Sequence, residues 1–268
     1  MHIADKVIVV TGGGNGIGRE VVLELARRGA RVAAVDLRAD GLAETVRLAS
    51  AAEGRISTHV MSVSDRAAVE ALPDAVVAAH GQVDGVLNIA GIIQRFVHVE
   101  ELSIEEIEKV MAVNFWGTLY MDKTFLPLLK ARPQAVLLNV SSMGGLVPVP
   151  GQGAYGASKG AVKLLTETLY AELRGTHVAV TVVFPGAIGT NITGNSGVEV
   201  PVAAMADGKA PKVTAADAAA RQIVDAVANG TFRVLIGSDA RMLDRLSRLS
   251  PTRAITTVAD QMKKMLGI

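Results

Sequence analysis

Val7-Ile8-Val9-Val10-Thr11-Gly12-Gly13-Gly14-Asn15-Gly16-Ile17-Gly18 passes from a short apolar run into a glycine cluster and then into a helical pattern. The segment Lys6–Thr11 reads as a buried strand, and Gly16–Arg28 repeats apolar residues at Ile17, Val21, Val22 and Leu25, a helical spacing closed by Gly29. Glycines between a strand and a helix let backbone N–H groups approach a pyrophosphate, and the helix N-terminus attracts its charge. The position at the head of a strand–helix–strand unit gives the cluster its weight, because a glycine run by itself is also an ordinary tight turn.

The next strand, Arg31–Asp36, ends on a carboxylate. An acid at that point accepts hydrogen bonds from both ribose hydroxyls of NAD and repels a 2′-phosphate, so NAD is the expected cofactor. Arg38, two residues on, is the one nearby feature that softens this preference. Further strands are expected at Ile56–Met61, Asp84–Ile89, Ala135–Val140, His177–Phe184 and Phe232–Ile236. Between them, helices are expected at Asp40–Glu53, Asp65–His80 (capped by Ser64 or Asp65), Ser103–Leu129 as one helix or two, Ala154–Arg174 and Ala215–Asn229. From about Asp239 to Leu266 the pattern is helical, broken at Pro251. Uniformly apolar strands alternating with helices imply an α/β fold: a Rossmann-like, doubly wound, seven-stranded parallel sheet with helices on both faces. No linker divides it, so residues 1–268 are expected to form a single dinucleotide-binding and catalytic domain, with a substrate loop at 185–213 and a C-terminal helical tail at 238–268.

Composition narrows the function. The chain has 268 residues, half of them hydrophobic but only 3% aromatic, so the core is aliphatic. A net charge of +1 with mixed signs gives no basic stripe for nucleic acid. There is no cysteine, and His2, His59, His80, His98 and His177 fall into no ligand spacing, so no metal is expected. The opening residues lack a secretory pattern and no apolar run is long enough for a membrane span, which makes a soluble cytoplasmic protein the expectation.

Tyr155 and Lys159 stand four residues apart on the helix Ala154–Arg174 and therefore share a face. An ammonium nearby favours phenolate, so Lys159 is expected to lower the Tyr155 pKa toward working pH, as proton exchange with an alcohol or ketone requires. Ser141 and Ser142 end the preceding strand, where open α/β sheets bind ligands, and a hydroxyl there can hold a substrate oxygen.

Thr11–Gly18 (TGxxxGxG), Asn88-Ile89-Ala90-Gly91, Val113-Asn114, Ser142, Tyr155-x-x-x-Lys159 and Pro185-Gly186 occur in this order. Together they resemble the short-chain dehydrogenase/reductase family over about residues 4–236. The resemblance implies an NAD-dependent oxidoreductase that interconverts a secondary alcohol and a ketone by hydride transfer at the nicotinamide. It implies Tyr155 as the acid/base, Ser142 rather than Ser141 on the substrate oxygen, Lys159 on the nicotinamide ribose and Asn114 holding a water in a proton relay. It further implies cofactor contacts from Gly12, Gly14, Asn15, Gly16, Ile17, Gly18, Asp36, Leu37, Ser62, Val63, Asn88, Ala90, Gly91, Tyr155, Lys159, Pro185, Gly186, Ile188 and Thr190. Asn88, Ala90 and Gly91 would line the adenosine side, and Ile188 and Thr190 would meet the carboxamide. Ser62, where many relatives carry Asp, and Ile89, in place of a second Asn, depart from the pattern, as does the long tail.

Apolar residues at Phe96, Met143, Leu146, Val147, Val149, Ile192 and Met205 point to a medium-sized hydrophobic substrate, with Gln94–Phe96 at its edge and Gly194, Gly197 and Gly208 as hinges of a lid. Arg95 is read as a solvated residue, with contact to a substrate carboxylate as the alternative. The expected partners are a small alcohol or ketone and further copies of the chain, as a tetramer or dimer packed through the helices around 114–129 and 154–174. The rival from another class is an NAD(H)-sensing protein without catalysis. A sugar-nucleotide epimerase would carry a larger second domain, and an enoyl reductase would space Tyr and Lys more widely.

Overall fold

The computed structural model describes residues 1–49, 54–198 and 213–266. Seven parallel strands form one sheet in the order β3-β2-β1-β4-β5-β6-β9. They are β1 (Val7–Thr11), β2 (Arg31–Asp36), β3 (Ile56–Val60), β4 (Gly85–Asn88), β5 (Ala135–Val140), β6 (Val178–Pro185) and β9 (Arg233–Ile236). Each of the seven falls within two residues of its expected place. The strand order reverses between β1 and β4, which opens a crevice at their carboxyl ends. The glycine cluster leaves β1 at that point.

Period-two alternation divides the core. Ile8 and Val10 face one apolar cluster with Val21, Val22 and Leu25 of α1 (Gly16–Arg27) and Ile223 and Val224 of α8 (Ala216–Asn229). Val7 and Val9 face another with Val69 and Val76 of α3 (Arg66–His80), Met121 and Phe125 of α5 (Gly117–Lys130) and Leu169 of α6 (Gly153–Glu172). Both faces of the sheet are thus covered, as the unbroken apolar strands require.

Local signals set the helix ends. Asn15 caps α1 by accepting from the Gly16 N–H, Asp65 caps α3 through the Ala68 N–H at 3.2 Å, and Gly81 ends α3 with φ of 85°. Ser103 and Glu106 form a capping box on α4 (Ile104–Met111). The second helix, α2, covers Ala39–Leu48, shorter than expected, and residues 50–53 lie outside the described residues. The stretch expected as one helix or two is α4 and α5 joined by a π-helical turn, Ala112–Trp116, a form that often marks functional sites.

Past β6, a two-residue strand β7 (Ile188–Gly189) pairs with β8 (Thr214–Ala215), and a short helix α7 (Ile192–Ser196) follows β7. The tail is α9 (Ser238–Leu249) and α10 (Pro251–Leu266). Leu243, Ala254 and Val258 of these helices build a third cluster with Val147, joined by Met143, Leu146 and Val149. Four residues read as substrate lining therefore pack beneath the tail. No described helix is long and apolar enough to cross a membrane.

Candidate functional site

The glycine segment forms a close-fitting cradle. Gly12 has φ of 73°, and a Cβ there would sit 3.1 Å from the Ala90 backbone. A Cβ on Gly18 would lie 2.1 Å from the Gly12 carbonyl oxygen, and one on Gly14 would lie 2.9 Å from the Asp36 carboxyl carbon. Asp36 accepts from the Gly14 N–H at 2.9 Å and the Arg38 N–H at 3.0 Å, one bond per oxygen, which leaves further lone pairs for two hydroxyls. The loop carbonyls are held from behind: Thr45 donates to Gly13 O at 2.9 Å, and Arg19 donates to Gly14 O and Gly41 O. The Arg38 guanidinium is paired with Asp40 at 2.7 Å. A backbone stripped of side chains at a helix N-terminus, with a carboxylate at the next strand end, fits the pyrophosphate and adenosine ribose of a nicotinamide dinucleotide.

Thr11 joins the two sides of the crevice by accepting from the Ile89 and Ala90 N–H groups at 3.0 and 3.1 Å. Thr190 lies over Gly16, its Cγ2 3.3 Å from a Cβ built there. Leu37 is exposed at the end of β2. Ser62 is occupied in its own turn, accepting from the Ser64 N–H at 3.2 Å, and Val63 packs on Gly117. The buried amide of Asn88 donates to Asp122 and Asn139, both at 2.8 Å, so its side chain faces the α5 layer. Burial pushes the Asp122 carboxyl up to about 7 against the pull of these two amides.

Past β4 and β5 the polar residues converge. Asn114, carried by the π turn, donates to Ile92 O and Ser158 Oγ at 3.0 Å each and accepts from the Ile92 N–H at 2.9 Å. A Cβ on Gly91 would meet Lys159 Nζ at 3.1 Å and Asn114 Oδ1 at 3.3 Å, so that glycine makes room for both. Lys159 is buried and donates to Val140 O at 2.9 Å; desolvation lowers its pKa to about 8. Ser141 donates to Lys159 O at 2.7 Å and is thereby occupied, whereas Ser142 accepts from the Gly144 N–H at 3.0 Å and shares the space over Gly144 with the Tyr155 ring, each 3.5 Å from a Cβ built there.

The Tyr155 pKa runs opposite to expectation. Burial pushes the phenol above its ordinary value, and the Ser142 hydrogen bond opposes it. Lys159 Nζ stands 6.0 Å from the ring centroid, with a proton committed to Val140 O, so desolvation outweighs the ammonium.

Arg95 is engaged with Glu106 through bonds of 2.7 and 2.6 Å. From α7, Ser196 accepts from the Ile93 N–H at 3.0 Å, and Asn195 accepts weakly from Asn15 at 3.4 Å, so this helix reaches both walls of the crevice. Met205 and Gly208 lie outside the described residues.

Two contacts had no signal in the motifs. Gln94 Oε1 accepts from the Tyr155 N–H at 2.8 Å. Asp239, in the first turn of α9, accepts from the Ala187 N–H at 2.6 Å and fills the space beside Gly186, where a Cβ would lie 2.1 Å from its Oδ1. Pro185 and Gly186 are thus fixed by the tail as well as by the Gly186 N–H bond to Ile236 O at 2.8 Å.

Comparison with known proteins agrees with this arrangement. Residues 6–200 match the short chain dehydrogenase model. Over 257 residues the chain is 40% identical to the protein named oxidoreductase SadH in Mycobacterium tuberculosis, covering 91% of this chain and 90% of that one. A solved short chain dehydrogenase/reductase from Burkholderia phymatum in complex with NAD has a TM-score of 0.84 and 28% identity, covering 95% of this chain and 97% of that one. Another from Burkholderia cenocepacia in complex with NADP has a TM-score of 0.80 and 26% identity, covering 96% and 99%. A parallel sheet that reverses at a glycine cradle, read with these matches, makes the chain a member of the short chain dehydrogenase family of oxidoreductases.

Proposed function

We propose that this chain is an NAD-preferring oxidoreductase that interconverts a secondary alcohol and a ketone on a medium-sized hydrophobic substrate, with Tyr155 as acid/base. The observation that carries this reading is the convergence of Ser142 and Tyr155 at Gly144, where a built Cβ would lie 3.5 Å from both the Ser142 hydroxyl and the Tyr155 ring edge, with Lys159 and Asn114 meeting at Gly91. When bound, the nicotinamide cofactor supplies hydride exchange with the substrate carbon. In reduction, Tyr155 gives its proton to the developing alkoxide while Ser142 steadies that oxygen. A phenol kept protonated by burial suits this donor role. Lys159 holds the nicotinamide ribose, and Asn114 orders the water through which Lys159 is reprotonated.

The cradle at Gly12, Gly14, Asn15, Gly16, Ile17 and Gly18 takes the pyrophosphate. Asp36 takes the adenosine ribose, Ala90 and Gly91 line the floor, and Ile188 and Thr190 take the carboxamide. The preference for NAD is supported by Asp36 and by the engagement of Arg38 with Asp40 and of Arg19 with loop carbonyls, which leaves neither guanidinium free for a 2′-phosphate. We read residues 1–268 as one dinucleotide-binding and catalytic domain, with 185–213 as its substrate loop. The chain works in the cytoplasm as a tetramer or dimer. Trp116 and Leu164, 45% and 62% exposed on the helices expected to pair, support self-association.

The test is Tyr155→Phe, assayed with NAD and NADP against a panel of secondary alcohols. Loss of turnover by about a thousandfold or more with NADH affinity retained is expected. Retained turnover overturns the assignment, and wild-type NADH binding without turnover on any substrate favours a sensor.

A further inference from the structure

The helix that carries Tyr155 lacks a cap of its own. Gln152, in the cap position of α6, makes no side-chain bond to the helix. The acceptor comes instead from sixty-one residues upstream: Gln94 Oε1 takes the Tyr155 N–H at 2.8 Å. The same side chain donates through Nε2 to Gly151 O at 3.3 Å, and its main-chain carbonyl accepts from Gln152 Nε2 at 3.0 Å. Gln94 and Gln152 are 3% and 4% exposed, so these bonds are made away from water, where an unmet N–H is costly.

Gln94 ends a segment in which almost every residue is tied to a different wall of the crevice. Ala90 bonds to Thr11 of β1, Ile92 exchanges two bonds with Asn114, and Ile93 donates to Ser196 of α7. Its last link is to the backbone of Tyr155 itself. The segment that flanks the cradle therefore sets where the phenol stands. The cap is also neutral. Acidic residues are common at helix N-termini, yet a carboxylate here would put a negative charge on the backbone N–H of the residue that carries the phenol. Lys159 Nζ stands 6.0 Å from the ring centroid. Arg95, next to Gln94, is neutralised by Glu106 of α4.

We infer that Gln94 is a positioning residue for Tyr155: a neutral amide cap, supplied by the segment beside the cofactor cradle, that fixes the acid/base at the start of its helix. The inference rests on the reading of Tyr155 as acid/base.

Three variants test it: Gln94→Ala, Gln94→Glu and, in parallel, Tyr155→Phe. The readouts are kcat and KM across pH, NADH affinity, thermal midpoint, and a near-ultraviolet phenolate titration with the Tyr155→Phe curve subtracted. Gln94→Ala is expected to lower kcat about tenfold or more with KM and NADH affinity little changed. Gln94→Glu keeps the acceptor and is expected to retain the thermal midpoint and recover much of the kcat at high pH. It should also move both the kcat profile and the phenol titration upward by about one pH unit. Wild-type kcat in Gln94→Ala, or a Gln94→Glu enzyme without the upward shift, overturns the role of Gln94 while leaving Tyr155 intact. An active Tyr155→Phe enzyme overturns the reading of Tyr155 instead, and the subtracted titration still reports whether Gln94 governs that phenol.

Discussion

Lys159 is where stability and chemistry pull apart at the level of one residue. Its ammonium is buried with a single hydrogen bond, to Val140 O, and burial lowers its pKa from 10.5 to about 8. The unfolded chain therefore holds that proton more tightly than the folded one. Below pH about 8 the full penalty, about 3 kcal/mol, acts against folding. It fades as pH rises from about 8 to 10.5, so this residue makes the protein more stable with rising pH. Lys159→Met keeps the length and removes the charge. After the lost hydrogen bond is counted, a gain of about 2 kcal/mol is expected at neutral pH, with turnover abolished. Denaturant midpoints measured across pH check this: the gap between variant and wild type should close toward pH 10.5. A variant no more stable than wild type at neutral pH refutes it. The Tyr–Lys spacing on one helix face was readable from sequence, but the sign of the Tyr155 shift was not. It depends on where the Lys159 proton goes, and Val140 O is brought there only by the folded β5.

At the level of elements, the joint between β6 and α9 carries a constraint of the same kind. Asp239 fills the space beside both Gly186 and Gly237, and the three heavy atoms nearest a Cβ on Gly186 all belong to Asp239. Gly186→Ala is therefore expected to displace the first turn of α9, costing about 1–3 kcal/mol and weakening NADH binding several-fold. In an Asp239→Ala background the same change meets no carboxylate, and its penalty should largely vanish. Thermal midpoints and NADH titrations of the two single variants and the double variant measure that coupling, and additive effects would show that the two residues act independently. Sequence reading found Gly186 through its motif but missed Asp239, because the contact joins segments distant in the chain and an acid in a first helical turn looks like ordinary capping. The inner strands were legible for a simpler reason: in a sheet covered on both faces, burial makes most residues of a strand apolar, and that survives as runs such as Val7–Val10 and Ala135–Leu138. The π turn at Ala112–Trp116 was not legible, since its residues continue the helical pattern on either side.

For the molecule as a whole, the open question is what the tail does. Its helices lie over the 143–149 segment that follows Ser142, burying Val147 among Leu243, Ala254 and Val258. An ion-pair chain fastens the tail to the sheet and to α6: Arg233 of β9 reaches Asp244 of α9 at 2.6 Å and Glu167 of α6 at 3.4 Å. The glycine cradle is built from the ends of β1, β2 and β4 without a tail residue, and the tail's contact with Gly186 comes from Asp239 of α9, ahead of Ser250. This separation predicts an unequal response to truncation. A chain ending at Ser250 loses Ala254 and Val258 from the third cluster, which exposes Val147 and loosens the segment that positions Ser142. NADH affinity should stay within about twofold of wild type, because the cradle is untouched. Turnover should fall about tenfold or more, because under the proposed role of Ser142 a misplacement of about 1 Å at the group that orients the substrate oxygen costs that much. Fluorescence titration of NADH and steady-state kinetics on the same preparation distinguish the outcomes. Full turnover in the truncated chain would mean that the Ser142 segment holds its shape unaided, whereas loss of NADH binding would mean that the sheet itself depends on the tail.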